Sequence, residues 1–168
     1  AKELGTSIQY VESSWDQENV SLRGKHQRQN AALAVAALEN CPLQINRDSY
    51  AKGLAETKWR GRFDQFPQKG GKDIVIDGAH NVQGARALVE TWEEVYGDNK
   101  PVIIFAAAAN KDLPSLINVI SQIAANFICT QPNTTRKLAS PEDIAQLIPS
   151  HITNEYEESV QNAIRKAE

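Results

Sequence analysis

From residue 74 onward the chain alternates between two periods, and that alternation constrains its fold more than any other feature. Apolar runs at Ile74–Ile76, Val102–Ala107, Asn126–Thr130 and Ile152–Tyr156 alternate with stretches of helical spacing. Those stretches are Asn81–Tyr96, the segment behind Asp112, the segment behind Ser140, and Glu157–Lys166. Strands separated by helices of this size argue for a parallel sheet covered by helices. The expected class is therefore α/β, with a mostly parallel, Rossmann-like sheet. Such sheets bind ligands in the crevice at the carboxyl ends of their strands. The loops after Ile76, Ala107 and Thr130 are thus the ones expected to matter.

Helix ends are written clearly in this half. Val82, Ala85, Leu88, Val89, Trp92 and Val95 share one face, and Gly97 stops the helix. Asp112 is a cap followed by Pro114 in the first turn. Ser140-Pro141-Glu142-Asp143 combines a cap, an early proline and acids on the positive dipole end.

The first seventy residues or so read differently. Residues 7–12 alternate weakly and are expected as a strand, followed by a polar turn-rich stretch to Gly24. His26–Glu39 is alanine-rich, and its unbroken apolar stretch Ala31–Leu38 predicts a buried helix. Asp48–Thr57 is expected as a second helix with Asp48 as N-cap and Tyr50, Ala51, Leu54 and Ala55 inward. Trp59–Gly71 reads as a loop rich in Gly, Arg, Gln and Lys, with a domain boundary near its start.

Composition excludes several classes. The 168 residues carry 18 basic and 21 acidic side chains, a net charge of -3. A basic nucleic-acid footprint is not expected at that balance, although a local anion site is compatible with it. No run of eighteen apolar residues exists, so no membrane span is expected. Cys41 and Cys129 lie far apart and form no CxxC, which suits reduced thiols in the cytoplasm. The chain has no Met and begins with Ala1, so an excised piece of a longer protein is expected.

Four stretches could carry chemistry. In Ile74-Val75-Ile76-Asp77-Gly78-Ala79-His80-Asn81 an apolar strand delivers polar residues onto a helix start. Small residues there allow close ligand approach, and a helix N-terminus offers free N–H groups to an anion. Asp77 could accept from ribose hydroxyls, and His80 and Asn81 could donate to phosphate or carboxylate. The plainer alternative is a turn-forming Asp77 and a capping Asn81. In Trp59-Arg60-Gly61-Arg62-Phe63-Asp64, two arginines suit bidentate phosphate contact. The alternative is a solvated basic loop anchored by Trp59 and Phe63. Asn110-Lys111-Asp112 places Lys111 to meet an anion, or merely a solvated lysine beside a cap. Gly24-Lys25-His26-Gln27-Arg28-Gln29-Asn30 puts amides at a helix start, where they could read an adenine edge or simply line a cap region. No GxxxxGK[ST] phosphate loop, GxGxxG turn, metal-ligand cluster or GxSxG elbow is present.

In this order and spacing, the four stretches resemble the C-terminal part of folylpolyglutamate synthases, which belong to the Mur ligase superfamily. Asp77-Gly78-Ala79-His80-Asn81 is the specific element. His26-Gln27-Arg28-Gln29-Asn30, Trp59-Arg60-Gly61-Arg62, Lys111-Asp112 and the tail Cys129-Thr130-Gln131-Pro132 with Arg136 support it. Arg60, Asp64, Val82 and Asn110 depart from the family's usual residues.

The resemblance implies that residues 1–45 end an ATPase domain. Residues 46–168 would be most of a Rossmann-like ligase domain, truncated before its last strand. It implies ATP-dependent addition of L-glutamate to the γ-carboxylate of a folate, with ATP and Mg²⁺ as cofactors and the metal ligands mainly in the missing domain. Arg62 would reach ATP phosphates, Asp77 the ribose, and Asn81 the nucleotide. His80 would reach phosphates or glutamate, Lys111 the glutamate or acyl-phosphate end, and Gln27 with Asn30 the adenine. The fragment is expected to be inactive alone and to self-associate through Ala31–Leu38. A Mur-type ligase acting on a cell-wall precursor and a non-catalytic nucleotide-binding module are the competing readings.

Overall fold

The computed structural model describes residues 5, 8–16, 19–70 and 73–167. Two compact units divide the chain, Ala1–Arg60 and Gly61–Glu168.

In the first unit, residues 8–12 form no strand, and Ser7 lies outside the described residues. The expected alternation finds no partner strand there. Side chains tie this segment to helix α1 (Lys25–Glu39) instead. Gln29 Nε2 donates to the Val11 carbonyl at 3.0 Å. Arg28 Nη1 donates to the Trp15 carbonyl at 2.9 Å. Ala31, Ala32 and Val35 of α1 are buried, but Leu33 is 49% exposed, so the apolar stretch is covered on one face only. Helix α2 (Arg47–Glu56) is capped by Asn46 rather than Asp48. The Asn46 carboxamide oxygen accepts the Ser49 N–H at 2.9 Å, and Asp48 falls in the first turn, where the positive dipole end favours it. Tyr50, Ala51 and Leu54 are half-buried as expected, and Ala55 is exposed. The Tyr50 ring meets Trp15 edge-on at 5.9 Å, and Ser21 N–H donates to the Leu54 carbonyl at 3.0 Å.

The second unit is α/β. Strands β1 (Asp64–Phe66) and β2 (Ile74–Ile76) form an antiparallel pair, with Asp64 opposite Ile76. Helix α3 spans Val82–Tyr96. Strands β3 (Val102–Phe105), β4 (Asn126–Cys129) and β5 (Thr153–Tyr156) form a parallel sheet in that order. Helices α4 (Leu113–Ile120) and α5 (Pro141–Leu147) follow β3 and β4, and α6 (Val160–Ala167) follows β5. Two expectations change here. The 59–71 stretch contains a strand, and Ile74–Ile76 pairs with it rather than with the parallel sheet. A hairpin needs only a short connection, which the chain between Phe66 and Ile74 supplies. Nor is β2 fully buried, since Ile76 is 51% exposed.

The caps at Asn81, Asp112 and Ser140 form as the sequence indicates. Phe127, Leu116, Ile117 and Ile144 are fully buried, and Phe105 packs edge-on against Phe127 at 6.4 Å. Ala85 and Val89 of α3 join this core. β5 is exposed along its length. Lys166 of α6 holds its end through Glu155 at 3.3 Å and Glu157 at 3.0 Å. Among the described residues, no helix is long and apolar enough to cross a membrane.

Candidate functional site

β2 delivers Asp77 to the turn that starts α3, and this carboxylate organises the loop. Its Oδ1 accepts the Ala79 N–H at 2.8 Å, the local bond of an Asx turn. Its Oδ2 accepts the N–H of Phe63, also at 2.8 Å. Gly78 N–H adds a third tie by donating to the Gly61 carbonyl at 2.9 Å. The Gly61–Phe63 segment is thereby laid against the Asp77–Ala79 turn.

Arg62 sits between two residues with left-handed backbone, Gly61 at φ 73° and Phe63 at φ 47°. That conformation is easy for glycine and costly for phenylalanine. The Phe63 ring is buried, 6.2 Å from Trp92 and 6.3 Å from Tyr96 on α3. Burial of a large ring on one side and a charged hydrogen bond on the other offset the strain. Arg62 Nη1 donates to the Gly61 carbonyl at 3.2 Å. The guanidinium lies so close over Gly78 that a Cβ there would stand 2.7 Å from Nη1. Gly78 is therefore required for close approach.

His80 is exposed, and its Nδ1 lies 2.9 Å from the Gly78 carbonyl. A carbonyl only accepts, so Nδ1 carries the proton and Nε2 is the nitrogen left for a ligand. Asn81 Oδ1 accepts the Gly84 N–H at 2.7 Å, and Asn81 caps α3 as the plainer reading of the sequence held. Its side-chain amide N–H groups are not needed for that cap. The site thus joins a guanidinium, an imidazole and the positive end of a fifteen-residue helix. The guanidinium and the helix N–H groups are donors that suit phosphate or carboxylate oxygens, and the imidazole Nε2 is an acceptor beside them.

The structure brings Arg62, Asp77, His80 and Asn81 together. Lys111 lies elsewhere, exposed on the loop after β3, where Asp112 caps α4 through the Ser115 N–H at 3.3 Å. Among the described residues no hydrogen bond joins the Lys111 side chain to the Asp77 turn. Its loop is zipped to the chain after β4. Ala109 N–H reaches the Lys137 carbonyl at 3.1 Å, and Ala139 N–H the Ala107 carbonyl at 2.9 Å. Cys129, at the end of β4, is buried, and burial pushes its thiol up to about 11. Gln27 and Asn30 belong to the first unit. Gln27 is buried, its carboxamide oxygen accepts from Asn30 Nδ2 at 3.1 Å, and its Nε2 lies 3.0 Å from His26 Nε2. Asn30 is the exposed member of the pair.

Of the two aromatic anchors that the sequence offered for the basic loop, one is confirmed. Phe63 does anchor the basic loop, whereas Trp59 is 64% exposed and does not. Gly61 was legible only as a spacer between arginines, since its positive φ is a property of the folded turn. Among the described residues, no three His, Cys, Asp or Glu side chains gather as a metal site.

A parallel α/β sheet preceded by this turn defines a Rossmann-like domain with polar side chains gathered at a helix start. Residues 61–168 match the family described as Mur ligase, glutamate ligase domain, and the chain belongs to that family. It is 30% identical over 122 residues to the Dihydrofolate synthase/folylpolyglutamate synthase of Bacillus subtilis, covering 70% of this chain and 28% of that protein. It is 28% identical over 158 residues to the UDP-N-acetylmuramoyl-L-alanyl-D-glutamate--L-lysine ligase of Streptococcus sanguinis, covering 89% of this chain and 32% of that protein. Its fold is similar to that of Mycobacterium tuberculosis folylpolyglutamate synthase complexed with ADP. The TM-score is 0.80 at 24% identity, over 91% of this chain and 34% of that one. The chain thus spans about a third or less of these relatives.

Proposed function

We propose that residues 61–168 serve an ATP-dependent ligase that adds L-glutamate to the γ-carboxylate of a folate. The observation that carries this reading is the Arg62 guanidinium held over Gly78 beside His80 and the start of α3. The named activity of the Bacillus subtilis relative supplies the substrate class. The ATPase domain would then end at about residue 45, with the ligase domain beginning between residues 46 and 61.

In this reading a folate carboxylate oxygen takes the γ-phosphoryl group of ATP, and ADP leaves. The glutamate amine then attacks the acyl carbon, loses a proton, and inorganic phosphate departs. The chain's own part is electrostatic and positional. Arg62 and the N–H groups opening α3 balance charge on phosphate oxygens. His80 Nε2 accepts or donates a proton at a phosphate or at the incoming glutamate, and the Asn81 amide donates to the nucleotide. Both Asp77 oxygens already hold backbone N–H groups, which leaves their remaining lone pairs for a ribose hydroxyl. By the same reading Lys111 would serve the glutamate end, and Asn30, held by Gln27, the adenine. The Mg²⁺ that accompanies ATP would be held mainly by the ATPase domain, since the described residues gather no metal-ligand cluster.

The test is ATP-dependent glutamate addition to tetrahydrofolate by the full-length protein. Arg62→Ala and His80→Ala are expected to lower the rate by about a hundredfold or more, the scale of lost charge-stabilising donors. Ligation with normal variants would retain the activity and overturn the site. The Streptococcus sanguinis relative aligns over more of the chain. Failure with every folate but success with a UDP-linked cell-wall precursor would therefore favour a Mur-type ligase. ATP binding without any ligation would favour a nucleotide-binding module.

A further inference from the structure

In the proposed function Arg62 is the side chain that meets an anion at this turn, and its backbone is fixed by its neighbours rather than by its own contacts. Phe63 is in the left-handed region at φ 47°, its ring is 5% exposed, and its N–H is taken by Asp77 at 2.8 Å. The ring belongs to an aromatic cluster on α3 in which Trp92 and Tyr96 lie 4.4 Å apart. Both aromatic partners are themselves anchored. Trp92 Nε1 donates to the Asn99 carbonyl at 2.6 Å, and the Tyr96 hydroxyl donates to Asp73 at 2.9 Å while accepting from Gln65. A strained conformation persists only where its surroundings over-determine it, and here ring and amide are each held.

We propose that Phe63 is a positioning residue for Arg62, its ring locking the left-handed turn that carries the guanidinium over Gly78. The proposal rests on the reading of Arg62 as a phosphate contact. Phe63 touches no substrate in it and acts only through its neighbour. Without the ring, nothing on the apolar side opposes relaxation of φ to negative values. Such a relaxation rotates the peptide that joins residues 62 and 63 and moves the arginine.

A double-mutant cycle in the full-length ligase tests this, with a spectroscopic readout on the 168-residue chain. Phe63→Ala is expected to lower kcat/KM for ATP on the order of tenfold, a part of the loss seen in Arg62→Ala, because it misplaces the same guanidinium. The same change in an Arg62→Ala background is expected to have less than about a twofold effect, because coupled residues are not additive. Phe63→Leu, which restores an apolar anchor, is expected to recover most of the loss. In the nucleotide-free chain, the Arg62 Nε–H resonance is expected to move in Phe63→Ala and to stay near its original position in Phe63→Leu. Equal effects of Phe63→Ala in both backgrounds, or an unmoved Arg62 resonance, would overturn the proposal alone. No effect of Arg62→Ala would overturn the phosphate reading and the proposal with it. If Phe63→Ala does not fold, Trp92→Leu takes its place in the same cycle, with the same expectations.

Discussion

The backbone N–H of Phe63 and the carboxylate of Asp77, 14 residues apart in sequence, meet at 2.8 Å. With the Gly78 N–H bond to the Gly61 carbonyl, this bond joins the basic turn to the strand end and brings two motifs together. It also gives Asp77 a structural duty that its place at a strand end does not announce. Its other oxygen holds Ala79, so both segments hang from one side chain.

Removing that carboxylate leaves two partly buried N–H groups without their acceptor. Asp77→Ala is expected to lower the unfolding free energy by about 2 kcal/mol, the scale of hydrogen bonds to a charged acceptor. Urea denaturation measures the loss. Hydrogen exchange should locate it, with the Phe63 and Ala79 amides exchanging faster in the variant. Unchanged protection at both amides would remove the clamp from the account.

Gly78→Ala separates function from stability. The added Cβ would meet Arg62 Nη1 at 2.7 Å and the Gly61 carbonyl at 3.3 Å. The first contact is the tip of a flexible side chain, which can swing aside at small cost. Little change in melting temperature is therefore expected, together with a rise in KM for ATP on the order of tenfold. A large drop in melting temperature with normal kinetics would contradict the close approach of Arg62.

Asn81→Ala removes the α3 cap bond to Gly84. Loss of such a cap costs about 1 kcal/mol. Asn81→Asp, which keeps the accepting oxygen, is expected to retain that stability while weakening anion binding through its negative charge. Calorimetric unfolding and nucleotide titration of the two variants distinguish the cap from the ligand contact.

The Glu157–Lys166 ion pair gives a pH dependence of known sign. The hydrogen bond from Lys166 is the main cause holding the Glu157 carboxyl below its ordinary 4.5, with the Ser159 N–H next. The same bond, donated to Glu157, and a second donated to Glu155 raise Lys166 above 10.5. A depressed carboxyl stabilises above its unfolded value and loses that contribution as pH falls through the folded one. A raised ammonium stabilises below its unfolded value and loses its contribution as pH rises through the folded one. The difference in melting temperature between the native chain and Glu157→Gln is therefore expected to be flat through neutral pH. It should shrink on both sides, below about pH 4 and above about pH 11. A difference unchanged down to pH 2 would show that the pair contributes nothing to stability.

The two thiols are expected to differ in reactivity. Cys129 is buried, and its thiol is pushed up to about 11, so it stays protonated at neutral pH. Cys41 is only half-buried. A disulfide exchange reagent at pH 8 should modify Cys41 in the native chain and both thiols only after denaturation. Rapid modification of Cys129 without unfolding would place β4 nearer the surface than the core packing allows.

Local chemistry and periodicity were sufficient for much of this protein. The caps at Asn81, Asp112 and Ser140 are decided within four residues, because a side-chain oxygen needs only the next turn's N–H groups. The parallel sheet follows from strands too far apart in sequence for hairpins, and the turn from Asp77 onto the start of α3 from its residue types. Pairing, burial and backbone sign were settled only by tertiary structure. Ile74–Ile76 reads the same in a parallel sheet or a hairpin, and the neighbour it found was β1. Asn46 displaced Asp48 as a cap by one turn's geometry. Residues 8–12 had a strand's pattern without a strand to pair with. Above all, the meeting of Phe63 with Asp77 and of Arg62 with Gly78 is a through-space event. Sequence dictates which groups can hydrogen-bond or collide, and only the folded chain brings those distant in sequence close enough to do so.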